Sequence, residues 1–246
     1  LNERVGELSM KDRIKIITVS LPIGEELNQI PQVTPEIISE MMEELKGRCV
    51  DLVLFPQYSL SGSSVEGRRD NEELYYRFAR SNNCYVVYNA LIEKNKKLQC
   101  VSVIVDRYGE KAGEYIKTHK VEGIDIDLDT GNDIPVFELD FGKVSLLAGS
   151  DIYFPESAEI YSIKGAEILL CSMGTEPLRD DAQVQQLLNS RAVADYLYVA
   201  AAAYASNKKM YMTNNFEAIS KEDGFSSEKI IDSFNSNGLG LHTGKA

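Results

Sequence analysis

The chain of 246 residues contains no tryptophan and only two histidines, His119 and His242. Two histidines do not assemble into a metal set or a Ser-His-Asp arrangement, and no metal or cofactor is expected. The four cysteines (Cys49, Cys84, Cys100 and Cys171) are scattered, with no CxxC or other metal-ligand spacing. No apolar run approaches the roughly 18 residues that a membrane-spanning helix needs, so no membrane association is expected. The opening LNERVGELSM lacks the charged-then-apolar order of a secretory signal. Basic residues are also in deficit: 26 Lys and Arg against 38 Asp and Glu leave a net charge of -12. That charge repels nucleic-acid backbones and anionic lipid alike. These absences together point to a reducing cytoplasm and a partner other than nucleic acid or membrane.

What is present suits one large domain. Hydrophobic residues make up 43% of the chain, enough for a sizeable core. Residues 1–12 read as a polar lead-in, expected to be a linker from a longer chain, and residues 13–246 as a single domain. IKIITVSL (14–21) is a β-branched run suited to a strand buried on both faces. Thr34 and Pro35 then offer an N-cap and a first-turn proline, and Ile37, Ile38, Met41, Met42 and Leu45 recur at helical spacing. A second buried strand covers 50–55, and a helix carrying Leu74, Tyr75, Phe78 and Ala79 leads to the strand CYVVYNALI. Strands at 100–105 and 114–117 flank a turn at Tyr108 and Gly109. The acidic stretch 121–133 reads as a solvated loop.

The second half repeats the rhythm, with strands at 135–139 and 143–148 around a turn at 140–142. Helix 157–164 leads to strand 166–171, and helix 182–195 to strand 196–204. Beyond Ser206 the pattern weakens to two short strands around a turn (FEAIS, KEDG, FSSEKII), and residues 235–244 give no assignable pattern. No linker or low-complexity tract separates the halves, so one α/β domain with mixed sheets is expected.

Three segments lie at the ends of buried strands, where open α/β folds carry their chemistry. They are DLVLFPQYSLSG (51–62), GEYIKTHK (113–120) and LLAGSDIYFPESAEIYSIKGAEILL (146–170). In this order and spacing they resemble the signature segments of the nitrilase, or carbon-nitrogen hydrolase, superfamily. LDTGNDIPVFELDFGKV and SRAVADYLYVAAAAY resemble its connecting pieces, so the likeness runs from about Ile14 to Tyr204. It implies a four-layer αββα sandwich with two mixed sheets, commonly a homodimer paired through helices near the nucleophile, here 157–164 and 182–195.

In that family a Cys thiolate attacks an amide or nitrile carbon, a Glu moves the proton and a Lys steadies the intermediate. Of these, the resemblance places only Lys117. The Glu position is Gln57, which cannot accept a proton. The Cys position, two residues before Asp151 of SDIYFPE, is Gly149. Leu147, Ala148, Ser150, Ala194 and Asp195 also depart from the family's usual residues. The leading expectation is therefore a pseudoenzyme that binds a small ligand or serves a regulatory or assembly role. The alternative is an active amidase-like hydrolase with an unrecognised nucleophile. Ser150 should face away from the lost thiol's place unless the strand end turns sharply, and Cys171 reads most simply as a small buried hydrophobe. Candidate ligand contacts are Lys117, Gln57, Tyr58, Ser150, Asp151 and Cys171. With Glu and Cys gone, Lys117 is expected to draw a small anion, most simply a carboxylate, unless Asp125, Glu122 or Asp151 pairs with it.

Overall fold

A computed structural model describes residues 13–22, 34–60, 65–121, 128–174, 181–205, 211–217 and 241–243. The lead-in 1–12, the acidic residues Glu122 and Asp125, and the segment 225–231 lie outside the described residues. The first half alternates β1 (Lys15–Pro22), α1 (Pro35–Leu45), β2 (Leu52–Leu54), α2 (Val65–Asn82) and β3 (Tyr85–Lys94), then adds β4 (Lys97–Val105) and β5 (Lys111–Ile116). The second half runs β6 (Phe137–Leu139), β7 (Gly142–Ala148), a 3-10 turn (Gly149–Tyr153), α3 (Pro155–Ile163), β8 (Ile168–Ser172) and α4 (Asp181–Ala194). It closes with β9 (Tyr198–Ala202), β10 (Tyr204–Ala205), β11 (Tyr211–Glu217) and β12 (Leu241–Thr243).

Two mixed sheets result. One has the order β10-β1-β2-β3-β4-β5, with β11 also paired to β1, and the other the order β12-β9-β8-β7-β6. Strands β1, β2, β3 and β10 are mutually parallel where they pair, as are β7, β8 and β9. The site-bearing ends of β2, β7 and β8 are all carboxyl ends of parallel strands.

The layering follows from strand alternation. Val53, Val86 and Tyr88 pack with Ile38, Met41 and Phe78 of α1 and α2, whereas Leu52, Leu54 and Val87 join Val144, Leu146 and Leu170 in the core between the sheets. Leu147, Leu169 and Cys171 face outward, against Ala158, Leu188 and Ala192 of α3 and α4. Both faces of these strands are apolar, so three interlayer cores form and the order is helices, sheet, sheet, helices.

Several boundaries differ from the sequence reading, each for a local reason. Strands β3 and β4 form one long hairpin, because Asn95 and Lys96 both adopt positive φ (54° and 63°) at a two-residue turn whose twist suits antiparallel strands. The expected strand 196–204 divides into β9 and β10: β9 stays in its own sheet while β10 crosses to pair with β1. Of the strand expected at 216–220, Phe216 and Glu217 belong to β11, antiparallel to β1, and 218–220 lie outside the described residues. Within 235–244, Leu241–Thr243 pairs with β9 through backbone register that residue type does not reveal. The N-cap is as expected, with the Ile37 amide donating to Thr34 Oγ1 at 3.4 Å. Among the described residues no helix is long and apolar enough to cross a membrane.

Candidate functional site

Gln57 and Tyr58 follow β2 after Phe55 and Pro56, Lys117 follows β5, and Gly149, Ser150 and Asp151 form the turn that ends β7. Long-range hydrogen bonds join the last two segments. Lys117 Nζ donates to the Ala148 carbonyl at 2.9 Å and to Ser150 Oγ at 2.6 Å, and lies 3.6 Å from Asp151 Oδ1. Lys117, Ser150 and Asp151 are all buried.

The turn after β7 is sharp because Gly149 takes φ 51°, a region that suits glycine. The backbone then enters a single 3-10 turn. This overrides strand alternation and is the condition under which Ser150 reaches the lysine. The expectation that Ser150 faces away is therefore corrected.

Asp151 organises the segment around Lys117. Its Oδ2 accepts from the Tyr115 hydroxyl at 2.7 Å and the Ala148 amide at 3.1 Å, and its Oδ1 accepts from the His119 amide at 2.9 Å. Burial pushes the Asp151 carboxyl up, but the hydrogen bonds from His119, the Lys117 charge and the Tyr115 hydroxyl outweigh it and hold the group below its usual range. It is thus a fixed carboxylate beside the ammonium. Of the three acids considered as partners of Lys117, the structure shows Asp151 in that place, which weakens the argument for an anion drawn by Lys117 alone. The His119 ring stacks on Phe154 with centroids 4.2 Å apart.

Gln57 is held from three sides: its backbone amide donates to the Met173 carbonyl at 3.1 Å, its backbone carbonyl accepts from the Tyr204 hydroxyl at 2.6 Å, and its side-chain Nε2 donates to Cys100 Sγ at 3.3 Å. Cys100 was not singled out in the sequence, nor was Asn89. Buried Asn89 on β3 accepts from the Tyr58 amide at 2.8 Å and from Cys100 Sγ at 3.4 Å through Oδ1, and donates from Nδ2 to Ser102 Oγ at 3.0 Å. Its backbone binds the same loop: the Asn89 amide donates to Ser59 Oγ, and its carbonyl accepts from the Leu60 amide at 2.9 Å. Tyr58 is fixed at φ 58°, a rare conformation for an aromatic residue. A lone Asn inside the apolar run YVVYNALI was the available signal, since a buried amide must find partners.

Cys171 is not brought into this group. It faces the helices on the far side of its sheet, with Leu147 and Leu169, and burial pushes its thiol up. Its inclusion among ligand contacts is corrected, because its parity on β8 is opposite to that of Leu170. Burial likewise pushes the Cys100 thiol up, to about 11. Among the described residues no group of three or more His, Cys, Asp or Glu side chains could hold a metal ion.

Two mixed sheets packed face to face between helices, with Lys117 after β5 of one sheet and the Gly149 turn after β7 of the other, match the α/β architecture of nitrilase-superfamily proteins. The carbon-nitrogen hydrolase family matches residues 22–225, and the chain belongs to that family. It is 27% identical over 174 residues to a 2-oxoglutaramate amidase of Bacillus subtilis (66% of this chain, 67% of that protein). Over 158 residues it is 25% identical to a probable nitrilase of Schizosaccharomyces pombe (58% of this chain, 57% of that protein). With an omega-amidase of Xenopus tropicalis it shares 26% over 168 residues, covering 63% and 58% respectively. The match thus spans little more than half the length of several curated relatives. Among solved structures, an E-to-Q, C-to-A double mutant of a Nesterenkonia sp. AN1 amidase, in complex with acrylamide, superposes with a TM-score of 0.67 at 19% identity. The superposition covers 82% of this chain and 80% of that one.

Proposed function

We propose that this domain is a catalytically inactive member of the carbon-nitrogen hydrolase family, retained to bind a small planar ligand. The observation that carries this reading is the pair of positions where the family's base and nucleophile would stand. Gln57 offers an amide that cannot take up a proton, one of its N–H groups being given to Cys100, and Gly149 offers no side chain. Removing both groups leaves only positioning and electrostatic terms for catalysis. A small carboxylate remains a candidate ligand. With Asp151 beside Lys117 its charge has less to attract it, so a neutral carboxamide of the same shape is the competing candidate. The acrylamide complex of the doubly substituted Nesterenkonia amidase supports such occupancy, since that protein also carries Gln for Glu and lacks its Cys. A panel of amides, nitriles and N-carbamoyl compounds, assayed for released ammonia, is expected to give no turnover above background.

One observation favours a second reading. Ser150 Oγ lies 2.6 Å from Lys117 Nζ, the contact a serine nucleophile and lysine base would need. In that route Lys117 must take the serine proton. Here Nζ donates to both Ser150 and the Ala148 carbonyl, with the Asp151 carboxylate alongside. Turnover abolished by Ser150→Ala would establish the serine route and overturn the inactive one.

The assembly proposed is a homodimer through α3 and α4. In its support, Ile163 (78% exposed), Val193 (54%) and Tyr196 (64%) lie on or beside these helices. The buried atoms Ser157 Oγ, Arg191 Nε and Asp195 Oδ2, which lack hydrogen-bond partners among the described residues, lie on or beside the same two helices.

A further inference from the structure

The Tyr58 backbone nitrogen sets the hydrogen-bond direction through the site. A backbone N–H only donates, so the Asn89 atom facing the Tyr58 amide at 2.8 Å is the acceptor Oδ1, and Nδ2 points to Ser102 Oγ. Cys100 Sγ, 3.4 Å from that same Oδ1, must then direct its S–H at it. With the proton committed there, the sulfur has only lone pairs for Gln57. The Gln57 atom 3.3 Å away is therefore the donor Nε2, and the carbonyl Oε1 is turned away from Cys100. All four residues (Gln57, Asn89, Cys100 and Ser102) are buried, so water does not compete for these bonds.

We propose that Asn89 and Cys100 are the specificity-determining pair of this site: they lock Gln57 with its amide nitrogen bound to protein and its carbonyl oxygen as the group offered to a ligand. This rests on the small-ligand reading above and narrows it. An offered acceptor pairs with an N–H and repels a carboxylate oxygen, so the site takes a primary carboxamide in preference to the acid of the same shape. Leaving a buried acceptor opposite another acceptor lowers affinity by roughly 10- to 100-fold. The discriminating residues are thus positioning residues that lie behind Gln57.

The test compares propionamide with propionate by NMR titration on wild type, Cys100→Ser and Cys100→Val. Wild type is expected to bind the amide at least about 10-fold more tightly. Ser keeps a hydroxyl that donates to Asn89 and accepts from Gln57, so the preference persists. Val removes both functions, Gln57 is free to turn, and the ratio falls toward one. Propionate binding as tightly as propionamide to wild type, or an unchanged ratio in Cys100→Val, overturns the proposal. A readout that needs no ligand separates this outcome from failure of the small-ligand reading. The Gln57 side-chain N–H that faces Cys100 should be protected from hydrogen exchange in wild type and Cys100→Ser, and unprotected in Cys100→Val. If neither compound binds but this pattern holds, the ligand reading falls and the locked orientation stands. If both Gln57 side-chain N–H groups exchange freely in wild type, the lock itself is refuted.

Discussion

Replacing Asp151 by Asn keeps the volume of a buried side chain while removing its charge and one of its two acceptors. In wild type Oδ2 receives the Tyr115 hydroxyl and the Ala148 amide, and Oδ1 receives the His119 amide and faces Lys117 Nζ at 3.6 Å. An Asn must turn its Nδ2 toward one of these sets, so a backbone N–H is left facing a donor in either orientation. Lys117 also loses its neighbouring carboxylate. Removing one partner of a buried pair costs about 3–5 kcal/mol, which for a domain of this size lowers the melting temperature by roughly 10 °C or somewhat more. Lys117→Met removes the opposite charge, and the double variant should then be less destabilised than the sum of the singles by about 1–3 kcal/mol. Differential scanning calorimetry or urea unfolding of the four proteins closes the cycle. Additive losses, or a shift below about 2 °C for Asp151→Asn, would refute the coupling argument.

Stability should also fall in acid. The folded Asp151 carboxyl sits below its ordinary value, so its contribution is complete above the unfolded carboxylate range near pH 4 and is lost as pH drops through the lower folded value; urea midpoints from pH 7 to pH 3 will show this, and Asp151→Asn should flatten the trend. Arg107 joins Asp51, before β2, to Asp140, in the β6–β7 turn, at 2.9 and 2.6 Å. Arg107→Met should therefore cost about 3–5 kcal/mol by urea unfolding, and a loss under 1 kcal/mol would mean the clamp is dispensable. A thiol reagent should label Cys49, which is exposed, before Cys84, Cys100 or Cys171, which are buried; stoichiometric labelling of Cys171 in the native protein would contradict its placement against the helices. Light scattering at micromolar concentration should give a mass above the 27.5 kDa of one chain, and a monomer would remove the α3–α4 pairing.

The fold was largely legible because its strands are apolar on both faces and its helices carry clear periodicity, as in residues 35–45. What periodicity could not supply was strand exchange. Nothing in YLYVAAAAY distinguishes β9 from β10, which part company at Ala203. At the site, Gln57, Lys117 and Gly149 were placed by motif order. Alternation does not place Ser150, because the strand ends before it, at Ala148, and Gly149 begins the turn. The face of Cys171 depends on the register of β8 against β7, where it pairs with outward-facing Leu147. Asn89 and Cys100 come from neighbouring strands in register near each other, and Tyr115 meets Asp151 across 36 residues. Such contacts exist only once the sheets have formed.

The direction of the Cys100 thiol bears on which side chains position 57 accepts. A glutamate at position 57 would bring only acceptors toward a sulfur whose proton is already given to Asn89. Gln57→Glu therefore sets a charged acceptor against a sulfur lone pair, and the carboxylate is accommodated only if the Cys100 S–H turns from Asn89 toward it, which leaves Asn89 Oδ1 with the Tyr58 amide alone. Residue 57, Cys100 and Asn89 thus form one epistatic unit, in which the effect of a substitution at one depends on what stands at the other two.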